Sequence, residues 1–150
     1  KSEKPRIMVS GNAIAHGDYS ILECIDGAGG YVVFEDTCTG MRNYLQNVKE
    51  EGNPYRNIAE RYLVINPCTC MSPPEKRIDK SLEFAKELEV DGVIYTIPEL
   101  CPLWESDAYY FEKLFRENNI KVLRLGYSYG TGIEQLKVRI ESFIEMLKER

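Results

Sequence analysis

Five cysteines are the side chains best suited to bind a metal or a cofactor: Cys24, Cys38, Cys68, Cys70 and Cys101. Their number is odd and no secretory signal is visible, which argues against a framework of disulfide bonds. Reduced thiols serve either as small buried hydrophobic groups or as metal ligands. Cys24 occupies an apolar position in the helical pattern ILECIDGAG, so we predict that it packs in the core.

Cys68 and Cys70 are separated by one residue in the segment NPCTCM. In an extended segment, residues i and i+2 point to the same side, so the two thiolates could bind one soft metal ion. A zinc site built from Cys38, Cys68, Cys70 and Cys101 is one hypothesis. Zinc sites more often contain C-x-x-C pairs, which this sequence lacks, and iron–sulfur clusters also require three or four thiolates. The spacing alone leaves the role of these thiols open.

Cys101 follows directly on an apolar run. The stretch DGVIYTIPELCPLW, from Asp91 to Trp104, begins as a buried strand and reaches the thiol just before a proline. In an open α/β sheet, ligands bind at the carboxyl ends of the strands. Cys101 is therefore either part of the core packing or a ligand that the strand carries to this edge.

Other polar residues follow the remaining predicted strands. His16 is the only histidine, and it is more simply interpreted as a loop residue than as a catalytic base. Glu35 and Asp36 could bind a metal, although solvated carboxylates are common at strand ends. The segment from Gly130 to Gly132 resembles a phosphate-binding loop only loosely, because it lacks the full G-x-G-x-x-G spacing and follows the last strand. A mononucleotide or a flavin at this edge is an open alternative.

Elements that alternate along the chain must position these residues. Four compact apolar runs predict strands over Arg6 to Gly11, Gly30 to Asp36, Asp91 to Ile97 and Lys121 to Tyr127. Helical patterns separate them, and this alternation indicates a parallel sheet with right-handed crossovers. We expect residues 1–150 to form one three-layer α/β domain of the flavodoxin-like or Rossmann-like kind. Its four-stranded parallel sheet is expected in the order 2-1-3-4, with helices on both faces.

Local signals predict where several helices begin and end. Asp18 is expected to cap the first helix, which the GAGG segment ends. Ser72, Pro73 and Glu75 form the pattern of a capping box at the start of a later helix. Asp107 is expected to begin the next helix, and Asn118–Asn119 to end it.

The segment from Thr39 to Met71 interrupts the simple alternation. It is expected to hold two short helices, MRNYLQNV and YRNIAERYLV, and long insertions in compact domains are often functional. The final helix is predicted from a broad apolar stripe that runs from Ile133 to Leu147.

Composition restricts the class of protein. The chain has 150 residues, of which 43% are hydrophobic and 29% charged, as in an ordinary globular domain. The formal net charge of −5 argues against a nucleic-acid partner. No apolar run of about 18 residues is present, so we expect no membrane span, and without a signal peptide we expect a cytoplasmic protein. Because the chain begins with Lys1, we expect it to be part of a longer polypeptide.

Five segments together carry a resemblance to a known family: RIMVSGNAI, VVFEDTCTGMR, IAERYLVINPCTCMSPPEKR, VDGVIYTIPELC, and IKVLRLGYSY with QLKVRIESFIEML. In this order they resemble the carboxyl-terminal domain of the 2-hydroxyacyl-CoA dehydratase D-component and benzoyl-CoA reductase family. The similarity covers nearly the whole chain. The combination of ED-x-CTG-x-R, PC-x-C and the later DGVI…C is fairly specific to this family.

The resemblance implies an iron–sulfur enzyme. Members have two or three domains per subunit and work as paired homologous subunits, each holding an oxygen-sensitive [4Fe–4S] cluster through three cysteines. Two of these lie in the preceding domain, and the third follows the penultimate strand of the last domain, where Cys101 stands. In the dehydratases an ATP-hydrolysing activator protein donates one electron, the acyl-CoA thioester becomes a ketyl radical anion, water is eliminated and the electron returns. Members of the reductase branch reduce benzoyl-CoA instead.

The resemblance also implies supporting residues. Asp36, Thr39, Gly40 and Arg42 are expected to support the cluster or a contact between subunits, and Glu99 to lie near the mouth of the site. Cys38, Cys68 and Cys70 belong to the family's motifs and are expected to shape nearby loops; whether any of them binds metal is left open, and so is the choice between dehydration and ring reduction. Two other functions stay possible: a flavodoxin-like nucleotide-binding or subunit-pairing module without its own chemistry, and a structural zinc domain.

Overall fold

Four parallel strands and the helices between them make up the core of the computed structural model, which describes residues 4–64, 68–70, 75–128 and 132–149. The strands are β1 (Arg6–Gly11), β2 (Tyr31–Asp36), β3 (Gly92–Pro98) and β4 (Lys121–Tyr127). They pair in the order β2-β1-β3-β4, all parallel. This confirms the predicted topology and places every predicted strand within one residue of its expected bounds.

Five α-helices are found in the described ranges: α1 (Ser20–Gly27), α2 (Pro54–Ala59), α3 (Glu75–Glu87), α4 (Pro102–Glu117) and α5 (Ile133–Lys148). A 3₁₀ turn spans Met41–Asn43, and a π-helical turn over Glu60–Val64 continues α2. Among these helices, none combines the length and the hydropathy that a membrane span requires.

The sheet lies between two apolar layers, which gives the expected three-layer architecture. Successive strand residues point to opposite faces, so Met8 packs with one set of buried side chains while Ile7 and Val9 pack with the other. The first core contains residues of α3 and α4, and the second contains residues of α1 and α5. Cys24 packs against this second core, as predicted. β1 and β3 are the inner strands and are almost entirely buried, whereas β2 and β4 are edge strands with more exposed residues.

The end of β1 can hold only glycine. Gly11 has φ +128°, and a Cβ atom there would lie 2.2 Å from the carbonyl oxygen of Thr96 on β3. The two inner strands therefore approach each other closely at the carboxyl edge of the sheet, where Thr96 Oγ1 donates to the Ser10 carbonyl oxygen at 3.2 Å. The backbones of β1 and β3 therefore lie close together at the edge of the sheet that carries the candidate site residues.

Three of the predicted helix starts are wrong or fall outside the description. Asp18 does not cap α1: Tyr19 occupies the capping position, and the Asp18 carboxylate instead accepts a hydrogen bond from Ser20 Oγ at 2.7 Å. Asp107 does not begin a helix, because α4 starts five residues earlier, with Cys101 in the capping position and Pro102 in the first turn. Proline fits there because the first turn needs no backbone donor. Of the predicted capping box, Ser72 and Pro73 lie outside the described residues.

The insertion contains one of its two predicted helices. The segment MRNYLQNV forms only the 3₁₀ turn Met41–Asn43, whereas α2 and the following π-helical turn cover YRNIAERYLV. Asn53 caps α2 by accepting a hydrogen bond from Arg56 N at 3.2 Å. A side-chain cap and Pro54 in the first turn favour this second helix.

Candidate functional site

Cys101 stands at the carboxyl edge of the sheet, in the short connection between β3 and α4. Its backbone is extended, its N–H donates to the Pro98 carbonyl oxygen at 3.2 Å, and its own carbonyl oxygen accepts from Glu105 N at 3.1 Å. The residue is half-buried: it packs against the first core and remains partly exposed at the edge. The fold therefore holds this residue at the boundary between the first core and the carboxyl edge of the sheet.

The residue before Cys101 has an unusual conformation. Leu100 has φ +62°, in the left-handed region that branched and bulky side chains rarely adopt, and its side chain is fully exposed. Leu103, in the first turn of α4, is 53% exposed. The edge around the thiol therefore presents apolar side chains to solvent instead of burying them.

Glu99 lies on the same connection and is exposed. Its carboxylate accepts a hydrogen bond from Ser128 Oγ at 2.5 Å, and its N–H donates to the Tyr127 carbonyl oxygen at 3.1 Å. These contacts tie the β3–α4 connection to the end of β4. Gly130 and Thr131 of the glycine-containing segment lie outside the described residues.

Asp36, at the end of β2, is buried at the centre of a polar network. Its carboxylate accepts from Arg42 Nε at 2.9 Å, from Ser10 Oγ at 2.9 Å and from Ser81 Oγ at 2.6 Å. Arg42 Nη2 also donates to the Asp36 carbonyl oxygen at 2.6 Å. Burial lowers the pKa of Arg42, but the charge and the hydrogen bond of Asp36 outweigh it, so the pKa is raised and the guanidinium keeps its positive charge. Asp36 and Arg42 thus form a structural ion pair beneath the edge.

The pair holds the loop that contains Cys38. Arg42 Nη1 lies 3.8 Å from Cys38 Sγ, and Asn43 Nδ2 donates to the Cys38 carbonyl oxygen at 2.5 Å. Thr39 Oγ1 both accepts from Ile14 N and donates to the Ile14 carbonyl oxygen, each at 3.1 Å. These bonds join the loop after β2 to the loop after β1.

Gly40 completes the same loop. A Cβ atom at Gly40 would lie 2.6 Å from the carbonyl oxygen of Glu35 and 2.8 Å from the Glu35 side chain. A larger residue would push the loop away from the strand. The motif ED-x-CTG-x-R is therefore explained locally by packing and hydrogen bonding.

Cys68 and Cys70 lie on the returning end of the insertion, close to this loop. Burial raises the pKa of the Cys68 thiol, but hydrogen bonds from the Cys70 backbone and thiol, together with the Arg42 charge, outweigh it and lower the pKa. Burial is the main reason that the pKa of the Cys38 thiol is raised, and nearby Cys68 raises it further. Cys70 is exposed. The thiols of Cys38, Cys68 and Cys70 therefore lie near one another and near the Arg42 guanidinium.

These thiols do not form the hypothesised zinc site. Within the described residues, no three His, Cys, Asp or Glu side chains are arranged to hold one metal ion. Cys38, Cys68, Cys70 and Cys101 are all described and are free thiols, so the four-thiolate arrangement is not assembled. His16 lies exposed in a turn, where its Nδ1 is 3.2 Å from the Tyr19 hydroxyl.

A second buried ion pair was missed by the sequence reasoning. Arg77 of α3 pairs with Asp107 of α4, the Tyr95 hydroxyl donates to the same carboxylate, and Arg77 Nη1 lies 3.7 Å from Asp36. The guanidinium also lies 5.7 Å from the ring centre of Trp104. Burial is the main cause that raises the pKa of Tyr95, and the charge of Asp107 raises it further, so the phenol stays neutral.

The sequence feature that could have revealed this ion pair is a charged residue at an apolar position in the pattern of each helix. Arg77 precedes Ile78 on the inner face of α3, and Asp107 lies four residues before Phe111 on the inner face of α4. Arg77 Nε and Nη1 and Asp107 Oδ1 have no hydrogen-bond partner among the described residues. The network of Asp36, Arg42, Arg77 and Asp107 contains two positive and two negative groups and links both helices to the candidate edge.

Comparisons with known proteins agree with the motifs. The family described as "2-hydroxyglutaryl-CoA dehydratase, D-component" matches residues 1–147. YjiM of Escherichia coli (strain K12), which is named as a dehydratase subunit, is 32% identical over 146 residues, or 96% of this chain and 38% of that protein. The (R)-phenyllactyl-CoA dehydratase beta subunit of Clostridium sporogenes is 27% identical over 97% of this chain and 38% of its own length.

A relative from the reductase branch is more distant. One of the subunits of the benzoyl-CoA reductase of Thauera aromatica is 20% identical over 99% of this chain and 39% of its own length. The chain thus spans about two fifths of the length of the curated relatives it matches. Because the family match covers all but the last three residues, the chain belongs to the family of the 2-hydroxyglutaryl-CoA dehydratase D-component.

Proposed function

We propose that the chain is the carboxyl-terminal domain of a subunit of an iron–sulfur 2-hydroxyacyl-CoA dehydratase, and that Cys101 is one thiolate ligand of its [4Fe–4S] cluster. The observation that carries the proposal is the position of Cys101: half-buried, just after the carboxyl end of an inner strand, and next to the exposed Leu100. Dehydration is favoured over ring reduction because the two dehydratase relatives are 32% and 27% identical and the reductase relative 20%.

The donor set of this chain fits one corner of such a cluster. A [4Fe–4S] cluster needs three or four thiolates, and among the described residues Cys101 does not belong to any group of three or more histidine, cysteine or acidic side chains that could hold a metal ion. The remaining ligands would come from a domain that precedes this one in the longer polypeptide. The exposed Leu100 and Leu103 beside the thiol provide the apolar surface on which that domain would dock.

The amino end of α4 is the second feature that suits an anionic group. Cys101 occupies the capping position of this 16-residue helix, where unpaired backbone N–H groups and the helix dipole favour negative charge. When bound, the cluster would supply one-electron chemistry to an acyl-CoA thioester. In this chain, Cys101 would supply one thiolate ligand of the cluster. Leu100 and Leu103 would exclude water from the cluster.

Supporting roles follow from the contacts around the edge. Asp36 and Arg42 hold the loop that contains Cys38, Thr39 and Gly40. We assign to this loop, and to Cys68 and Cys70, the role of shaping the surroundings of the cluster. Glu99, tied to Ser128, fixes the connection that carries Cys101. The proposed partners are a homologous subunit, an ATP-hydrolysing activator that donates the electron, and a 2-hydroxyacyl-CoA substrate, all in the cytoplasm.

The test is cluster content after anaerobic reconstitution of the complete polypeptide. Cys101→Ser is compared with the parent and with Cys24→Ser, a matched control whose thiol is also half-buried but packs against the opposite core. We expect the parent and Cys24→Ser to bind iron and sulfide in equal amounts and to absorb in the visible range. We expect Cys101→Ser to lose most of this iron while its far-ultraviolet circular dichroism stays unchanged. A full iron content in Cys101→Ser would refute the assignment.

A further inference from the structure

The three thiols beside the loop after β2 have different surroundings. Cys38 packs against the first core, and its sulfur lies 3.8 Å from Arg42 Nη1. Cys68 is less deeply buried than Cys38, and Cys70 is exposed. All three are free thiols. Cys68 and Cys70 are therefore the two thiols of this group that a small reagent in solvent reaches first.

Cys68 is surrounded by groups that favour its thiolate. The Cys70 backbone N–H and the Cys70 thiol both donate hydrogen bonds to the Cys68 sulfur, and the positive charge of Arg42 lies near it. Burial opposes ionisation, but these contacts outweigh burial, so the pKa of Cys68 is lowered. The thiolate is the nucleophilic form of cysteine. An accessible thiolate beside a second thiol is the arrangement typical of redox-active cysteines.

The backbone between the two cysteines permits a disulfide bond. Two residues of fully extended chain separate Cα atoms by roughly 6.6–7.2 Å, whereas a disulfide needs about 4.4–6.8 Å. Thr69 and Cys70 lie in a turn, which shortens this separation into the required range. The hydrogen bond from the Cys70 thiol to the Cys68 sulfur places both sulfurs on the same side of the turn.

Cys38 is the less suitable partner for Cys68. Burial is the main reason that the pKa of Cys38 is raised, so at neutral pH this residue is mostly the unreactive thiol. Its backbone is also held in a separate loop, because Asn43 Nδ2 donates to the Cys38 carbonyl oxygen at 2.5 Å. Cys70, already in contact with Cys68, needs no movement of that loop to reach it.

We propose that Cys68 and Cys70 form a redox-active dithiol, which a low-molecular-weight disulfide oxidises reversibly to an intrachain disulfide. Cys68 is the nucleophile and Cys70 is the second thiol. Oxidation replaces the thiolate beside Arg42 by a neutral disulfide. The inference goes beyond the proposed function, because it does not depend on Cys101 or on a cluster.

The reaction is two successive thiol–disulfide exchanges. The Cys68 thiolate attacks one sulfur of the small disulfide, whose S–S bond breaks, and the small thiolate that leaves takes up a proton from solvent. The Cys70 thiol then loses its proton and attacks the Cys68 sulfur. The bond between Cys68 and the small molecule breaks, and the second small thiolate takes up the proton that Cys70 released. Two electrons pass from the dithiol to the small disulfide, which becomes two thiols.

Mass spectrometry of the complete polypeptide tests the pairing. The protein is equilibrated anaerobically with mixtures of glutathione and glutathione disulfide, quenched with acid, alkylated with N-ethylmaleimide and digested with trypsin. Cleavage after Arg61 and Lys76 releases residues 62–76, which contain Cys68, Cys70 and no other cysteine. As the share of glutathione disulfide rises, this peptide should lose both maleimide groups and become lighter by two hydrogen atoms. Dithiothreitol should reverse the change.

The remaining cysteines of the chain provide internal controls. Residues 7–42 form a tryptic peptide that contains Cys24 and Cys38, and it should stay doubly alkylated. Cys101→Ser should give the same result as the parent, which separates this test from that of the cluster. A disulfide that joins residues 62–76 to residues 7–42 would overturn the proposal, because Cys38 would then be the partner. No disulfide within residues 62–76 at any glutathione ratio would also overturn it.

Single variants test the roles of the two thiols. Cys70→Ser should accumulate a glutathione adduct on Cys68, at least about five-fold more than the parent, because the second exchange is blocked. In Cys68→Ser, Cys70 should react with glutathione disulfide at least about three-fold more slowly than Cys68 does in Cys70→Ser. Both variants should keep the iron content and the far-ultraviolet circular dichroism of the parent. Faster reaction at Cys70, or loss of iron from either variant, would overturn the assignment.

Discussion

Asp36→Asn is the substitution that most directly tests the role of the buried charge network. The change keeps the shape of the side chain and removes its negative charge. In the folded chain the Asp36 carboxylate contacts Arg42 Nε at 2.9 Å and lies 3.7 Å from Arg77 Nη1. Both guanidinium groups are at least 95% buried, and Asp107 is the second acidic partner. The variant would therefore leave two buried cations with one anion.

The magnitude follows from these distances. At an effective dielectric constant of about 20, unit charges 3–4 Å apart attract by roughly 4–5 kcal/mol. Asp36→Asn loses this attraction, but part of the loss is offset because burying the neutral amide carries a smaller desolvation cost than burying the carboxylate. Removing one partner of a buried ion pair typically costs about 3–5 kcal/mol. We expect the free energy of unfolding to fall by this amount, which is a large share of the total stability of about 5–15 kcal/mol that domains have.

Urea unfolding followed by circular dichroism measures the change, with m-values compared to confirm that the same transition is observed. The matched control is Asp26→Asn, which removes an exposed carboxylate 3.8 Å from Lys4 and should cost less than about 1 kcal/mol. In Asp36→Asn/Arg42→Met both charges of the pair are absent. That double variant should be more stable than the sum of the single losses implies, by about 1–3 kcal/mol. A loss in Asp36→Asn no larger than in the control, or strict additivity, would refute the charge-balance reasoning.

Two further predictions concern titratable groups near the edge. The pKa of Tyr95 is raised in the folded state, so above pH of about 10 the unfolded chain loses a proton that the folded chain keeps, and stability falls as pH rises. Between pH of about 10 and 11, the free energy of unfolding of Tyr95→Phe should therefore fall less steeply with pH than that of the parent, by up to about 1.4 kcal/mol per pH unit. Equal slopes for parent and variant in urea unfolding would contradict this. The pKa of Cys68 is lowered and that of Cys38 raised, so brief treatment with iodoacetamide near neutral pH should alkylate Cys68 before Cys38, as measured by peptide mass spectrometry. Faster alkylation of Cys38 would show that access, not thiolate content, controls the reaction.

Much of the fold could be predicted because its elements are local. Each strand is a compact apolar run, and each is bounded by residues that disfavour extension of the strand, so their positions were correct to one residue. The order 2-1-3-4 follows from alternation and the handedness of crossovers, which are general rules for parallel sheets. The motif around Asp36, Cys38, Gly40 and Arg42 was recognisable as a unit because its hydrogen bonds join residues close in sequence.

Errors arose where local and tertiary preferences compete. Asp107 has the type of a helix-capping residue, yet it lies inside α4 because Arg77, thirty residues earlier, supplies a buried partner for its charge. The segment MRNYLQNV has a helical pattern but forms only one 3₁₀ turn, because Arg61 and Asn57 require its backbone carbonyl groups and those that follow as acceptors.

The sequence by itself determined the family, the sheet and the arrival of Cys101 at the carboxyl end of an inner strand, because motifs and apolar periodicity are properties of neighbouring residues. Only the tertiary structure decided that four charged side chains from β2, α3, α4 and the insertion meet in the core, and that the insertion helix exposes its apolar side. Both depend on partners that are distant along the chain. Burial and charge pairing are decided by the groups that surround a side chain in space, and these are not encoded in the spacing of any single segment.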